Sequence, residues 1–468
     1  MRQHQEKSID DILNLFPYQI AAKEKWIASN YKLLFEMATG TGKTRTAIAC
    51  IYEFLKKTKK SVVIISTPQG TLSQQWKAEI VGLHIPIEWE IVVDGTNHRW
   101  RTELPLLLKK LTVGMGKNLF VYTTHMTSAD DDFLRIIQSF PRLDYCFVGD
   151  EAHGLGASKS KHALLGIYEY RIGLSATPKR WFDSYGTSIL EEYFGQTSFQ
   201  FTIEDALSTI NPNTGKTFLV PYYYFPVFVS LTESEFLEYT KLTSRIKKLA
   251  KYAQGSDEYQ EKLKSVLFKR ARIEKQAFNK LQLLRDILCD LGPDRVNNTI
   301  IFTSDAQIDL VMALLAELGI VAHRFTQDIG GAPEARYSGL SERQYIIKQF
   351  RKKQYQALVA IKCLDEGIDI PSAETAIIMA SSTNPREYVQ RVGRVIRQAK
   401  DKDRARIYDF TIEPDISRIT DPDLAEFERQ IFTKEFLRIQ DMSRNSINNT
   451  DVYIDLMQRL GRVRNGSK

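Results

Sequence analysis

Only four cysteines occur in 468 residues, Cys50, Cys146, Cys289 and Cys363, and no two of them form a C-x-x-C pair. That argues against a disulfide framework and against a zinc knuckle, and it fits a reducing cytoplasm. No apolar run approaches the ~18 residues that would cross a membrane. The opening stretch MRQHQEKSIDDILNLF lacks the apolar core of a signal peptide. A soluble cytoplasmic protein with no membrane partner is therefore expected. Also missing are a short-period repeat, a low-complexity tract, a nuclease constellation and a zinc or base-reading module at either end. A cleaving or recognition partner, where one is needed, has to be another chain.

What is present suits a folded protein: 43% of the residues are hydrophobic and 11% aromatic. At roughly 150 residues per domain the length suggests about two or three domains. The formal charge is +7, a mild bias toward a polyanionic partner. Its location says more, because Lys241 to Arg295 holds 14 Lys/Arg against 7 Asp/Glu, an excess equal to the net charge of the whole chain.

From Tyr31 to about Phe201, apolar runs such as KLLFE, SVVIIST, NLFVYTT and DYCFVGD alternate with longer helix-like segments. This is the pattern of a parallel sheet covered by helices. A second series runs through TIIFTSD, VAHRFT, QALVAI, TAIIMAS and RARIYDFT. Between them lie an Asn211-to-Gly215 turn, a strand-like YYYF before Pro226, and a basic stretch without strand signals. The expected organisation is α/β: a first domain over 1–205, a linker and basic helical insertion over 206–295, a second domain over 296–412, and a helical tail over 413–468.

Four motifs carry chemistry. MATGTGKT, residues 37–44, follows a strand and opens a helical segment. Glycine-permitted turns let backbone N–H groups point at a phosphate, and the helix N-terminus adds positive potential. Thr39, Gly40, Thr41 and Gly42 form this candidate cradle, Lys43 reaches the terminal phosphates, and the Thr44 hydroxyl suits Mg2+. Met37 stands where the general pattern has glycine.

Asp150-Glu151-Ala152-His153 closes another apolar run. One carboxylate there can hold a metal ion and its neighbour can take a proton from attacking water. A solvated turn would explain a lone acidic pair, but a phosphate loop in the same chain favours the catalytic reading. Ser175-Ala176-Thr177-Pro178 is by itself a turn. In QRVGRVIR, Gln390, Arg394 and Arg397 follow a helix-like segment, and the arginines offer planar donors for phosphate oxygens. The run upstream of it ends in Asp365, Gly367 and Asp369.

Taken together, these elements resemble the helicase superfamily 2 motor core over roughly Asp11 to Thr411, which implies two RecA-like domains binding ATP with Mg2+. Phe16-Pro17-Tyr18-Gln19 resembles the Q motif, with Gln19 as the implied base contact. MATGTGKT is similar to motif I, DEAH to motif II and SATP to motif III. IIFTSDAQ is similar to motif IV, LDEGIDIP to motif V and QRVGRVIR to motif VI. The resemblance makes Lys43, Asp150, Glu151, His153, Gln390, Arg394 and Arg397 the catalytic set, Thr44 and Asp150 the metal ligands, and adds Gly367 and Asp369 to the ATP site.

STPQGTLSQQW and SATPKRWFD, the latter with Arg180 and Asp183, look like the DNA-directed branch of type III restriction motor subunits, RadD-like helicases and excision-repair translocases. The RED triplet of the repair translocases is missing, as is the PTRELA-like sequence of DEAD-box RNA helicases. By resemblance, backbone contacts to nucleic acid fall to Thr67 and Pro68, Thr123 and Thr124, and Thr303 and Ser304, with strand-end capping an equal reading for each hydroxyl. Arg270, Arg272 and Lys275 in the basic insertion are further candidates, with a solvated helix face as the other reading. The implied function is an ATP-dependent DNA helicase or translocase in repair or phage defence. An RNA-directed motor and an ATP-gated binding module that needs a partner subunit stay open.

Overall fold

The computed structural model describes residues 9–83, 85–177, 183–252, 257–326, 328–330, 334–361, 370, 373–380 and 385–465. The chain divides into two compact units, Met1–Phe218 and Leu219–Lys468.

The first unit holds seven strands: β1 Lys32–Met37, β2 Ser61–Thr67, β3 Trp89–Val93, β4 Asn118–Thr124, β5 Asp144–Asp150, β6 Tyr170–Ser175 and β7 Ser198–Phe201. They form one all-parallel sheet in the order β3-β4-β2-β5-β6-β1-β7. The central strands are buried on both faces, which is why they read as unbroken apolar runs. Because β1, β6 and β5 are neighbours, the phosphate loop, the SAT turn and the DEAH turn emerge side by side from the carboxyl edge of the sheet. The register pairs Glu36 with Ser175 and Asp150 with Leu174. That edge is where parallel α/β sheets bind ligands.

The second unit holds β8 Tyr222–Val229, β9 Thr299–Phe302, β10 Ala322–Phe325, β11 Ala357–Ala360, β12 Thr375–Ile378 and β13 Ala405–Ile412. Their order is β10-β11-β9-β12-β13-β8, again all parallel. The stretch read as a linker and insertion, 206–295, is thus divided. Its YYYF run is β8, and the strand continues through Pro226, opposite Asp409. Proline is tolerated because β8 is an edge strand, which has no second neighbour to receive the missing N–H.

Helices Glu233–Ala250 and Asp257–Gln276 form an antiparallel hairpin: Tyr252 lies 5.6 Å from Tyr259, and Arg270 reaches Thr243 at 3.1 Å. Helix Asn279–Leu291 lays Leu284 and Leu288 against Ile301, Val311 and Leu315 in the core of the second sheet. The expected helical tail is helices Pro422–Ser443 and Asn449–Asn465. Tyr222 Oη donates to the Met442 carbonyl at 3.0 Å, and the Asn448 amide brackets the Tyr224 backbone. Among the described residues no helix is long and apolar enough to cross a membrane.

Candidate nucleotide site

The phosphate loop turns on two left-handed glycines, Gly40 at φ 87° and Gly42 at φ 82°. Gly42 is the N-cap of helix Lys43–Lys57, and a Cβ there would sit 2.5 Å from Gln19 Nε2. Sign of φ and available space therefore both demand glycine. The loop is held from behind by the Q-motif segment. Tyr18 Oη donates to the Thr41 carbonyl at 2.5 Å, and Gln19 Nε2 donates to the carbonyls of Thr41 at 3.3 Å and Gly42 at 3.2 Å. Gln19 Oε1 accepts from the Phe16 N–H at 2.9 Å. Both ends of the Gln19 amide thus face backbone rather than open space. Met37, the departure from the general pattern, is the buried last residue of β1; its carbonyl accepts from Lys43 Nζ at 3.2 Å.

Asp150 ends β5 and is 9% exposed. Burial, reinforced by the Glu151 carboxylate, pushes its carboxyl up to about 6, against the pull of Trp76 and Lys43. Trp76 Nε1 donates to Asp150 Oδ2 at 2.9 Å, and the Glu151 N–H donates to Oδ1 at 3.0 Å. Glu151 sits in the left-handed region at φ 48°, ψ 51°, a conformation that stores of order 1–3 kcal/mol in a non-glycine residue. That bend turns the chain so that Glu151 Oε2 lies 3.4 Å from His153 Nδ1 and His153 Nδ1 lies 3.3 Å from Ser175 Oγ. The SAT hydroxyl, weak as a motif alone, thereby joins the acidic turn.

Three supporting residues escaped the reading of the motifs. Trp76 was noticed only as a branch marker, and Tyr18 only as part of the Q motif. His125, packed beneath the DEAH turn, is held neutral because burial pushes it down to about 3; its Nδ1 lies 2.9 Å from Ser66 Oγ. Gly154 leaves it room, since a Cβ there would fall 2.9 Å from the imidazole Cδ2.

The residues fit a Mg2+-bound nucleoside triphosphate. Thr39 Oγ1 is buried with no hydrogen-bond partner, and the Asp150–Glu151 pair crowds two carboxyls that a divalent cation would relieve. Among the described residues no three His, Cys, Asp or Glu side chains are placed to hold a metal alone. That is the expected pattern for Mg2+, which takes one or two protein ligands and completes its shell with phosphate oxygens and water.

In the second unit, helix Pro385–Val395 carries Gln390, Arg391 and Arg394, all buried. Arg391 donates to the Ala380 carbonyl at 2.8 Å. Arg397 follows the helix end and forms an antiparallel bridge with Leu219. Asp365, Gly367, Asp369 and Arg180 lie outside the described residues.

The nucleic-acid candidates divide. A hydroxyl has one proton to donate. That of Thr67 goes to the Gln69 carbonyl at 2.8 Å, and that of Thr123 to the Val93 carbonyl at 2.7 Å. Thr124 Oγ1 caps a short helix by accepting from Thr127 N–H at 3.2 Å. In this structure the Thr67 and Thr123 protons are thus directed at backbone carbonyls, and Thr124 accepts from a backbone N–H. Pro68 is half-exposed. Thr303 Oγ1 and Ser304 Oγ are buried without a partner.

Arg270 is corrected. It is 8% exposed and points inward to Glu428 at 3.3 Å, Glu274 at 3.1 Å and the Tyr239 hydroxyl. Arg272 is exposed and Lys275 half-exposed; they share one helix face with Lys264 and with Phe268, which is 76% exposed.

Residues 1–180 match the family described as "Type III restriction enzyme, res subunit", and residues 279–399 match the helicase conserved C-terminal domain. The chain is thus similar to the motor subunits of type III restriction enzymes over its first 180 residues and to helicases over residues 279–399. The DNA 3'-5' translocase XPB2 of Sulfurisphaera tokodaii is 26% identical over 413 residues, 84% of this chain and 81% of that protein. The ATP-dependent RNA helicase dbp8 of Emericella nidulans is 34% identical over 115 residues, 24% of this chain and 20% of that protein. Among solved structures, the ATP-dependent Type ISP restriction-modification enzyme LlaBIII bound to DNA has the same fold, with a TM-score of 0.59 at 16% identity; the likeness covers 92% of this chain and 29% of that one.

Proposed function

We propose that the protein is an ATP-dependent DNA helicase or translocase, working in the cytoplasm in DNA repair or phage defence. The observation that carries this reading is the acidic pair of buried Asp150 and half-buried Glu151 beside Lys43 at the mouth of a glycine-built phosphate loop. Lys43 neutralises the terminal phosphates, Thr44 and Asp150 would hold Mg2+, and Glu151, steadied by His153, takes the proton of the attacking water. Mg2+ would supply charge neutralisation at the transferred phosphoryl group. Gln390, Arg394 and Arg397 act on the γ-phosphate oxygens, and Gly367 and Asp369 belong to the same site. Relatedness to a DNA translocase along most of the chain supports DNA as the track. Restriction-type architecture supports a nuclease or recognition subunit as a partner chain.

The decisive measurement is steady-state ATPase activity without nucleic acid and with single-stranded DNA, duplex DNA or RNA. Stimulation of at least about tenfold by one DNA form is expected. Stimulation by RNA alone would replace the reading with an RNA-directed motor, which the shorter match to an RNA helicase favours.

The exposed stripe Lys264, Phe268, Arg272 and Lys275 gives a second expectation. Replacing Lys264, Arg272 and Lys275 with alanine should lower the slope of log affinity against log salt by roughly two to three on duplex DNA, because each lost phosphate contact removes about 0.9. An unchanged slope would make the stripe a solvated face.

A further inference from the structure

We infer that Lys402 is a positioning residue for Arg397, fixing the backbone from which that arginine reaches its phosphate. The inference rests on the proposed role of Arg397. Lys402 is 2% exposed, an unusual place for a lysine, which is almost never fully buried without a partner.

Its Nζ donates to the carbonyl of Arg397 at 2.9 Å and to that of Val395. Val395 is the last residue of the arginine-bearing helix, so its carbonyl lies at the negative end of the helix dipole and has no intrahelical donor. The opposite side of the segment is held as well: the Val220 N–H donates to the Ile396 carbonyl at 2.8 Å, and Leu219 is bridged to Arg397. Three consecutive carbonyls, 395 to 397, are thus tied by two donors, Lys402 Nζ at the first and third and the Val220 N–H at the second.

Residues after a helix normally fray, and an arginine on a fraying end cannot be aimed. Burial pushes the Lys402 ammonium down to about 7, opposed by Glu374 and assisted by Arg397. Two of its acceptors are the carbonyl dipoles of Val395 and Arg397, so it ties the backbone on both sides of Ile396.

The test compares Lys402→Met, which keeps the bulk and removes the donor, with Lys402→Arg, which keeps the donors, and with Arg397→Ala. For Lys402→Met, the expected result is a roughly ten- to hundredfold fall in kcat for nucleic-acid-stimulated ATP hydrolysis, the cost of misplacing a catalytic group by about an ångström. KM for ATP and Tm should stay near those of the unmodified protein, and Lys402→Arg should retain most of kcat. If Lys402→Met hydrolyses ATP normally while Arg397→Ala is dead, the positioning role is overturned and the motor reading stands. An equal loss of Tm, KM and kcat would also overturn it, by making the contact merely structural. A fully active Arg397→Ala would remove both Lys402's role and the proposed role of Arg397. Should Lys402→Met fail to fold, Lys402→Gln, which keeps an amide donor with less reach, gives the same comparison.

Discussion

Glu151→Gln is expected to stop ATP turnover while leaving ATP binding intact. The substitution is nearly isosteric and keeps a polar group beside His153, but it removes the carboxylate that is given the proton of the attacking water. The Asp150 carboxyl oxygens receive Trp76 and the Glu151 N–H at 2.9 and 3.0 Å. A positioned general base is worth about 10²–10⁴ in rate, so kcat should drop by roughly a thousandfold. Affinity for ATP should hold or rise slightly, since one negative charge leaves the neighbourhood of the phosphates. Lys43→Ala gives a contrasting failure, with binding itself weakened, because its ammonium is the cation the loop presents to the terminal phosphates. Equilibrium binding of a fluorescent ATP analogue beside steady-state hydrolysis separates the two. Normal hydrolysis by either variant would contradict the roles given to the loop and the acidic turn.

Arg270→Ala should destabilise the second unit by about 3–5 kcal/mol, the usual cost of stripping one partner from a buried ion pair. Glu428 has 0% exposure and lies 3.3 Å from Arg270, so the truncation leaves a carboxylate with neither water nor its counter-charge. Glu274, 3.1 Å from Arg270 on the next helical turn, loses the same cation. Burial already raises the Glu274 carboxyl. Urea unfolding followed by a fluorescence probe reads the change. A loss under about 1 kcal/mol would show that the network is not a stability centre. The double change Arg270→Met with Glu428→Leu should recover much of the loss, because apolar residues of similar volume can replace a buried pair. Neither change should alter the salt dependence of DNA binding, which sets Arg270 apart from Arg272.

That contrast shows where the sequence is legible. The phosphate loop could be read in full because its chemistry is local: two glycines, a lysine and a threonine in eight residues. The central strands were equally plain, since burial on both faces leaves no polar alternation. β3 and β7 went unnoticed because they are short edge strands, WEIVV and SFQF, carrying polar residues. The membership of β8 in the second sheet depends on a partner, β13, more than 170 residues away.

Arg270 looked like its basic neighbours because composition carries no helical phase. The phase was nonetheless present: Val266 and Arg270 fall at i and i+4 on one helix face, and both are buried. A charged residue on an apolar face marks an internal partner, and Glu428 could be found only from the fold. At Thr67 and Thr123 the hydroxyl has a backbone carbonyl within reach, a local alternative that a motif does not reveal.

The charge-locked root of the helical hairpin has a mechanical consequence. Arg270 joins both of its helices to helix Pro422–Ser443 through Glu428, and on that same helix Arg438 meets Asp409 of β13 at 2.7 Å. The 20-residue helix Asp257–Gln276 extends for about 30 Å at 1.5 Å per residue. Beyond Arg270 the arm is about 20 Å long, at 1.5 Å per residue to Asp257. A rotation of about 10° at its root would sweep the far end through about 3.5 Å, close to the rise of one base pair of duplex. The two ion pairs at its root couple the orientation of the hairpin to that of β13.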